Sequence, residues 1–255
     1  MLLLFVLLFI NEMIIDKLFN YYCRRGYLWI AKLLYFIDPT IDIAKHDANL
    51  FKRVCENGYF EVAKWLLSVE QRINSYNSFF LACINGHLNV AQWLLSERGS
   101  RIDVSDMDNF IFNCTCKNGH LHVAKWLYSI EPNSITSNTI SYYDYCGEGV
   151  FVRYKGREKA FCGACFNGHL HVAQWLLSVK PSIDISNDDN YAFNKACLNR
   201  HLNVAQWLCT LNPFKYSIKI KYGIIIDWKI NCNEHDNNVM LLLFLMKTYN
   251  YSMVL

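Results

Sequence analysis

The cysteine pairs Cys162-x-x-Cys165 and Cys114-x-Cys116 are the residues of this sequence that most invite chemistry. Thiolates so spaced can share a zinc ion or cycle through a disulfide. The pairs His120-x-His122 and His169-x-His171 look like metal ligands, because imidazole nitrogens are common donors. Asp103, Asp106 and Asp108 form an acidic cluster, and Arg153, Lys155, Arg157 and Lys159 form an alternating basic run. The sequence has no glycine-rich phosphate loop after a strand, no Gly-x-Ser-x-Gly elbow and no His-Glu-x-x-His pair. Without a nucleophile and base at a workable spacing, no enzyme activity is expected.

The elements that must position these residues repeat. Asn85–Leu95, spelled Asn-Gly-His-Leu-Asn-Val-Ala-Gln-Trp-Leu-Leu, has near copies at Asn57–Leu67, Asn118–Leu127, Asn167–Leu177 and Asn199–Leu208, with a weaker one at Arg25–Leu34. Taking the turn residue as origin, units begin at Gly26, Gly58, Gly86, Gly119, Gly168 and Arg200, at spacings of 32, 28, 33, 49 and 32 residues. Such a period marks a repeat architecture. Seven residues before each origin stands a Phe (19, 51, 79, 112, 161, 193), and three before it a Cys (23, 55, 83, 116, 165, 197). Their offset of four places them on one face of a first helix. The glycine supplies the positive φ that ends this helix, so Arg200 should have a strained or differently shaped turn. Asp47, Ser75, Asp108 and Asp189, eleven before the origin, are suitable N-caps. The second helix carries a stripe such as Leu170, Val172, Ala173, Trp175 and Leu176, with Lys64, Gln92, Lys125, Gln174 and Gln206 pointing outward. Helices this short cannot bury their apolar faces alone, but stacked neighbours can.

Repetition recasts the chemistry. Six of the 11 Cys, six of the 16 Phe and five of the 7 Trp (Trp65, Trp93, Trp126, Trp175, Trp207) occupy three positions of one unit, read as core. Cys116 and Cys165 are members of that series, where a free thiol acts as a compact hydrophobe. Stacked units lie about 10 Å apart, too far for disulfides between repeats. No cofactor or metal is expected, and reduced buried thiols imply a cytoplasmic setting. The 255 residues carry a net charge of only +3, with 53% hydrophobic residues. This excludes disorder and argues against a nucleic-acid partner, which needs a concentrated basic surplus.

With its period near 33, its Asn-Gly-His-Leu turn, its Val-Ala-x-Trp-Leu-Leu helix and connectors such as Ile41–Ile43, Ile102–Val104 and Ser182–Ile185, the chain resembles the ankyrin repeat family. The family's Thr-Pro-Leu-His opening is missing throughout. The Ala-x-Trp-Leu-Leu-Ser spelling is similar to the divergent ankyrin-repeat proteins of large DNA viruses of amoebae (mimivirus-like). The resemblance implies an all-α solenoid of helix-turn-helix repeats with β-hairpin-like connectors. It also implies that the histidines just after the origin (His87, His120, His169, His201) bridge successive turns by hydrogen bonds. It further implies a non-enzymatic protein–protein interaction module, in the host cytoplasm if viral.

Three segments depart from the period. Residues 139–157 form an insertion with Tyr142, Tyr143, Tyr145 and Tyr154 around Gly147-Glu148-Gly149. They read as an enlarged hairpin finger suited to a protein contact. With Asp103, Asp106 and Asp184 on the connectors, these tyrosines are the candidate partner-binding residues. Residues 1–15 open with ten consecutive apolar residues, Met1–Ile10, half a membrane span. They read as a cap or degenerate repeat, with a membrane anchor as the alternative. The array itself spans residues 16–213. Residues 214–255 are a divergent tail or cap, strand-prone over Phe214–Ile230 and with a short apolar helix at Val239–Met246. An unidentified protein partner and a monomeric state are expected.

Overall fold

A computed structural model describes residues 14–71, 73, 75–98, 106–132, 158–213, 215–221 and 223–230. Helix α1 covers residues 14–23. It is followed by α2 (Leu28–Ile37), α3 (Ile43–Glu56), α4 (Phe60–Val69), α5 (Tyr76–Ile84), α6 (Leu88–Arg98), α7 (Asp106–Lys117), α8 (Leu121–Ile130), α9 (Lys159–Phe166), α10 (Leu170–Val179), α11 (Asn187–Leu198) and α12 (Leu202–Leu211). Strands β1 (Tyr216–Lys221) and β2 (Ile224–Ile230) form an antiparallel hairpin with an irregularity between Lys219 and Ile220. Odd-numbered helices are the first helices of the repeats and even-numbered ones the second. The chain divides into two compact units: Met1–Asp106 with His122–Leu127, and Met107–Leu121 with Tyr128–Leu255. Each is a stretch of all-α solenoid, with α3 against α4 and α5 in the first, and α9 against α10 and α11 in the second.

Both in-phase series are buried as the four-residue offset requires. All six Phe and all six Cys are at most 2% exposed. The turn glycines adopt φ between 73° and 82°. They close each first helix by a pair of bonds, as where Gly86 N–H donates to the Cys83 carbonyl and His87 N–H to the Ala82 carbonyl. This is a glycine-terminated Schellman cap. A second constraint acts at Gly58, Gly119 and Gly168. A Cβ there would overlap the imidazole of His87, His169 and His201 respectively, each offered by the next repeat. Arg200 keeps the same turn, with φ 61° and bonds from Arg200 and His201 N–H to the Cys197 and Ala196 carbonyls. Its turn is therefore strained rather than differently shaped. A side chain is tolerated because no histidine of a later repeat presses on it among the described residues.

The capping expectation needs correction at three of four positions. Helices α3, α7 and α11 begin at Ile43, Asp106 and Asn187, so Asp47, Asp108 and Asp189 lie inside them. Ser75 does stand at the N-cap of α5, but its side chain makes no capping bond. At α3 and α11 the connectors supply the earlier starts. Ile41, Ile43 and Ile183 turn into the core, drawing the chain into helix before the acidic position. Those connectors are turns held by local side-chain bonds. Asp38 Oδ1 accepts from Thr40 N–H at 3.0 Å and Asp184 Oδ1 from Ser186 N–H at 2.9 Å. The only strand pairing among the described residues is that of β1 and β2.

The in-phase tryptophans are half-buried rather than fully core. Four of the five set a ring against the in-phase Phe of the preceding repeat: Phe19–Trp65 at 6.0 Å and Phe79–Trp126 at 6.3 Å in the first unit, Phe112–Trp175 at 6.3 Å and Phe161–Trp207 at 6.2 Å in the second. Trp93 instead meets Phe60 of the preceding second helix at 5.7 Å. Phe193, in the sixth repeat, is followed by no in-phase tryptophan. Tyr216 of β1 takes that place, stacked on it at 4.3 Å, with its hydroxyl donating to Asn190 Oδ1 at 2.9 Å. Asn190 holds φ 63° to present this acceptor. The strand-prone stretch thus folds as a hairpin seated on α11 and α12.

Candidate functional site

Every residue pair first suspected of chemistry is tied to packing or to the turn. Cys162 and Cys165 are buried in α9, and Cys114 and Cys116 in α7. Burial pushes the Cys165 and Cys116 thiols well above their ordinary range, with the neighbouring Cys162 and Cys114 adding to the effect. Burial alone pushes Cys23 up to about 12. Such groups stay protonated at neutral pH and are poor nucleophiles and poor metal ligands. Cys209, half-buried, is also raised by burial. Cys146 and Cys232 lie outside the described residues.

The histidines hold repeats together. His87 Nε2 donates to the Glu56 carbonyl of the preceding repeat at 2.9 Å. His169 makes the corresponding bond to the Lys117 backbone. The exposed His122 and His171 add a second rung, donating from Nε2 to the carbonyls of Gly86 at 2.9 Å and Gly119 at 3.1 Å. Asn167 and Asn199 add a third, from Nδ2 to the Lys117 and Phe166 carbonyls at 2.7 and 2.8 Å. The resemblance pointed to the first rung only. The others carry a sequence signal, since Asn recurs one residue before the origin and His or Asn three after it. With an imidazole nitrogen of each directed at a backbone carbonyl, His169 and His171 are not arranged to chelate. No group of three His, Cys, Asp or Glu could hold a metal ion among the described residues. Desolvation, then the neighbouring His171 and His201, hold His169 below the ordinary imidazole value, against a raising effect of the Lys117 bond.

Tyr142, Tyr143, Tyr145, Tyr154, Asp103, the basic run Arg153–Arg157 and the apolar Met1–Ile10 lie outside the described residues, as does Val239–Met246. Asp106 is the first residue of α7. Asp184 is exposed, with one carboxylate oxygen engaged by Ser186. Asp106 and Asp184 fall in different units. No described helix is long and apolar enough to cross a membrane.

A solenoid of Gly-terminated helix pairs, bridged from turn to turn by imidazole and amide side chains, defines a class of repeat protein. Family models described as ankyrin repeats match residues 19–108 and 162–208, together just over half of the chain. The chain belongs to the ankyrin repeat family. The fourth repeat lies between the two matches, yet it has Gly119 at φ 82° and a buried Phe112 and Cys116 like the rest. No curated protein matches the chain.

Proposed function

We propose that this protein is a non-enzymatic adaptor that binds a protein partner along its connectors and the 139–157 insertion. The observation that carries this reading is the division of labour within each repeat. Chemistry-capable side chains are spent on the core and on inter-repeat bonds, leaving connector acids such as Asp184 exposed on a preorganised frame. A rigid frame binds with less ordering cost than a flexible one. The partner surface would be basic, and the tyrosines of the insertion would supply its aromatic contacts.

Buried, protonated thiols support a reducing compartment, the cytoplasm. The Ala-x-Trp-Leu-Leu-Ser spelling supports a viral origin and a host protein as target. The test is capture from lysate by the full chain, by a variant lacking residues 139–157, and by Asp103→Lys/Asp106→Lys/Asp184→Lys. Each variant should capture the same partner at least about tenfold less well, the equivalent of losing about 1.4 kcal/mol. Capture that is indifferent to both changes overturns the reading.

A further inference from the structure

The five later repeats agree in placing polar residues at two exposed positions of the second helix, and the first repeat does not. Three residues after the origin the later repeats place Glu61, Asn89, His122, His171 and Asn203. Ten after it they place Ser68, Ser96, Ser129, Ser178 and Thr210. All ten side chains are exposed. The hydroxyls of Ser68, Ser96, Ser178 and Thr210 bond back to the carbonyl of the in-phase Trp at 2.6–2.7 Å, which satisfies them at the solvent face. The first repeat places Trp29 and Phe36 there, 68% and 82% exposed. At the first position His122 and His171 reach back to the preceding turn, whereas at the second Ser68, Ser96, Ser178 and Thr210 bond within their own helix, so a missing repeat does not account for Phe36.

The same face of α2 carries Leu33 at 48% and Ile37 at 58% exposure. With Trp29 and Phe36 they make an i, i+4, i+7, i+8 stripe. Helix α1 shows a second one, the exposed Ile14, Leu18 and Tyr21. Lys17 and Lys32 flank the stripes, and Arg24 and Arg25 stand in the turn between the helices, all four exposed. Arg25 lies over the Tyr21 ring at 5.2 Å. Asp16 is the single acid in residues 14–37.

We propose that the first repeat docks on an anionic lipid surface, inserting Trp29 and Phe36 among the headgroups while Lys17, Arg24, Arg25 and Lys32 meet the lipid charge. Aliphatic stripes with aromatic residues and a basic rim fit the membrane interface. The excess of basic groups disfavours a second copy of the same face, which would bring like charges together. This proposal does not rest on the protein-binding reading.

The experiment is flotation of the full chain with phosphatidylcholine vesicles, with and without phosphatidylserine. The chain should float with phosphatidylserine vesicles, less so in high salt, and its tryptophan emission should shift to the blue. Trp29→Asn/Phe36→Ser installs the residues of the third repeat and should partition at least about tenfold less, from the burial value of two large apolar side chains. Arg24→Glu/Arg25→Glu, in an exposed turn, should remove the phosphatidylserine dependence while the far-ultraviolet spectrum stays unchanged. A full chain that fails to float overturns the proposal. So does a Trp29→Asn/Phe36→Ser variant that floats undiminished, which would assign the attachment to residues 1–10. A dimer in solution that this variant dissolves would make the face a protein interface instead.

Discussion

At the residue scale, two glycine constraints can be separated. Arg200 bears only the cost of positive φ, roughly 1–2 kcal/mol. Arg200→Gly should therefore raise stability by about 0.5 kcal/mol after the added freedom of the unfolded chain is subtracted, read as a higher urea midpoint. Gly58→Ala meets the same φ penalty and the His87 ring as well, so it should cost about 2 kcal/mol or more. A Gly58→Ala variant that loses only about 1 kcal/mol, the φ cost alone, would show that the imidazole moves aside. Thiol labelling gives a second prediction at this scale. Of the nine described cysteines, Cys209 should react with an aromatic disulfide in the native state, and the eight buried ones only on unfolding. Rapid native labelling of Cys55 or Cys83 would contradict the burial that keeps them protonated.

At the element scale, the hairpin and the histidine rungs decide how repeats hold their neighbours. Tyr216→Ala removes the ring stacked on Phe193 and should cost about 3–5 kcal/mol, as for other buried aromatics. Tyr216→Phe removes only the bond to Asn190 and should cost about 1 kcal/mol. Amide exchange should localise both losses to α11 and α12. Equal effects of the two variants would show that the ring contributes nothing. His169 adds a pH dependence of known sign. Its folded value lies below the unfolded one, so the unfolded chain binds more protons, and stability rises with pH. The contribution present above the unfolded value, about 6.5, is lost as pH falls through the folded value. His169→Gln should flatten the fall in urea midpoint over that window; an equally steep fall would place the titration elsewhere.

At the scale of the whole molecule, the chain has two compact units. Within each, a repeat packs on the repeat beside it, so damage should spread by neighbours rather than globally. Phe79→Ala and Phe193→Ala should each cost about 3–5 kcal/mol. The first should loosen α5 and α6 while α11 and α12 keep their exchange protection; the second should do the reverse. Uniform loss of protection in either variant would show one cooperative unit where the chain has two compact ones.

Much of this was legible before any coordinates. The Phe and Cys offsets, the turn glycines and the outward Lys and Gln positions followed from helical periodicity, because 3.6 residues per turn places them on faces whatever the neighbour is. Helices α3, α7 and α11 begin before Asp47, Asp108 and Asp189, and at α3 and α11 the buried connector isoleucines outweigh local capping chemistry. Only the tertiary structure decided which rings close over which Phe, that the tryptophans stay half-exposed, and that Tyr216 replaces the missing one. It also decided that Trp29 and Phe36 stand uncovered. Those features sit where residues about thirty apart meet, or at the first and sixth repeats, beside which the sequence spells no further in-phase copy to read a neighbour from. A repeating sequence determines its own interior; its ends are determined by what folds against them.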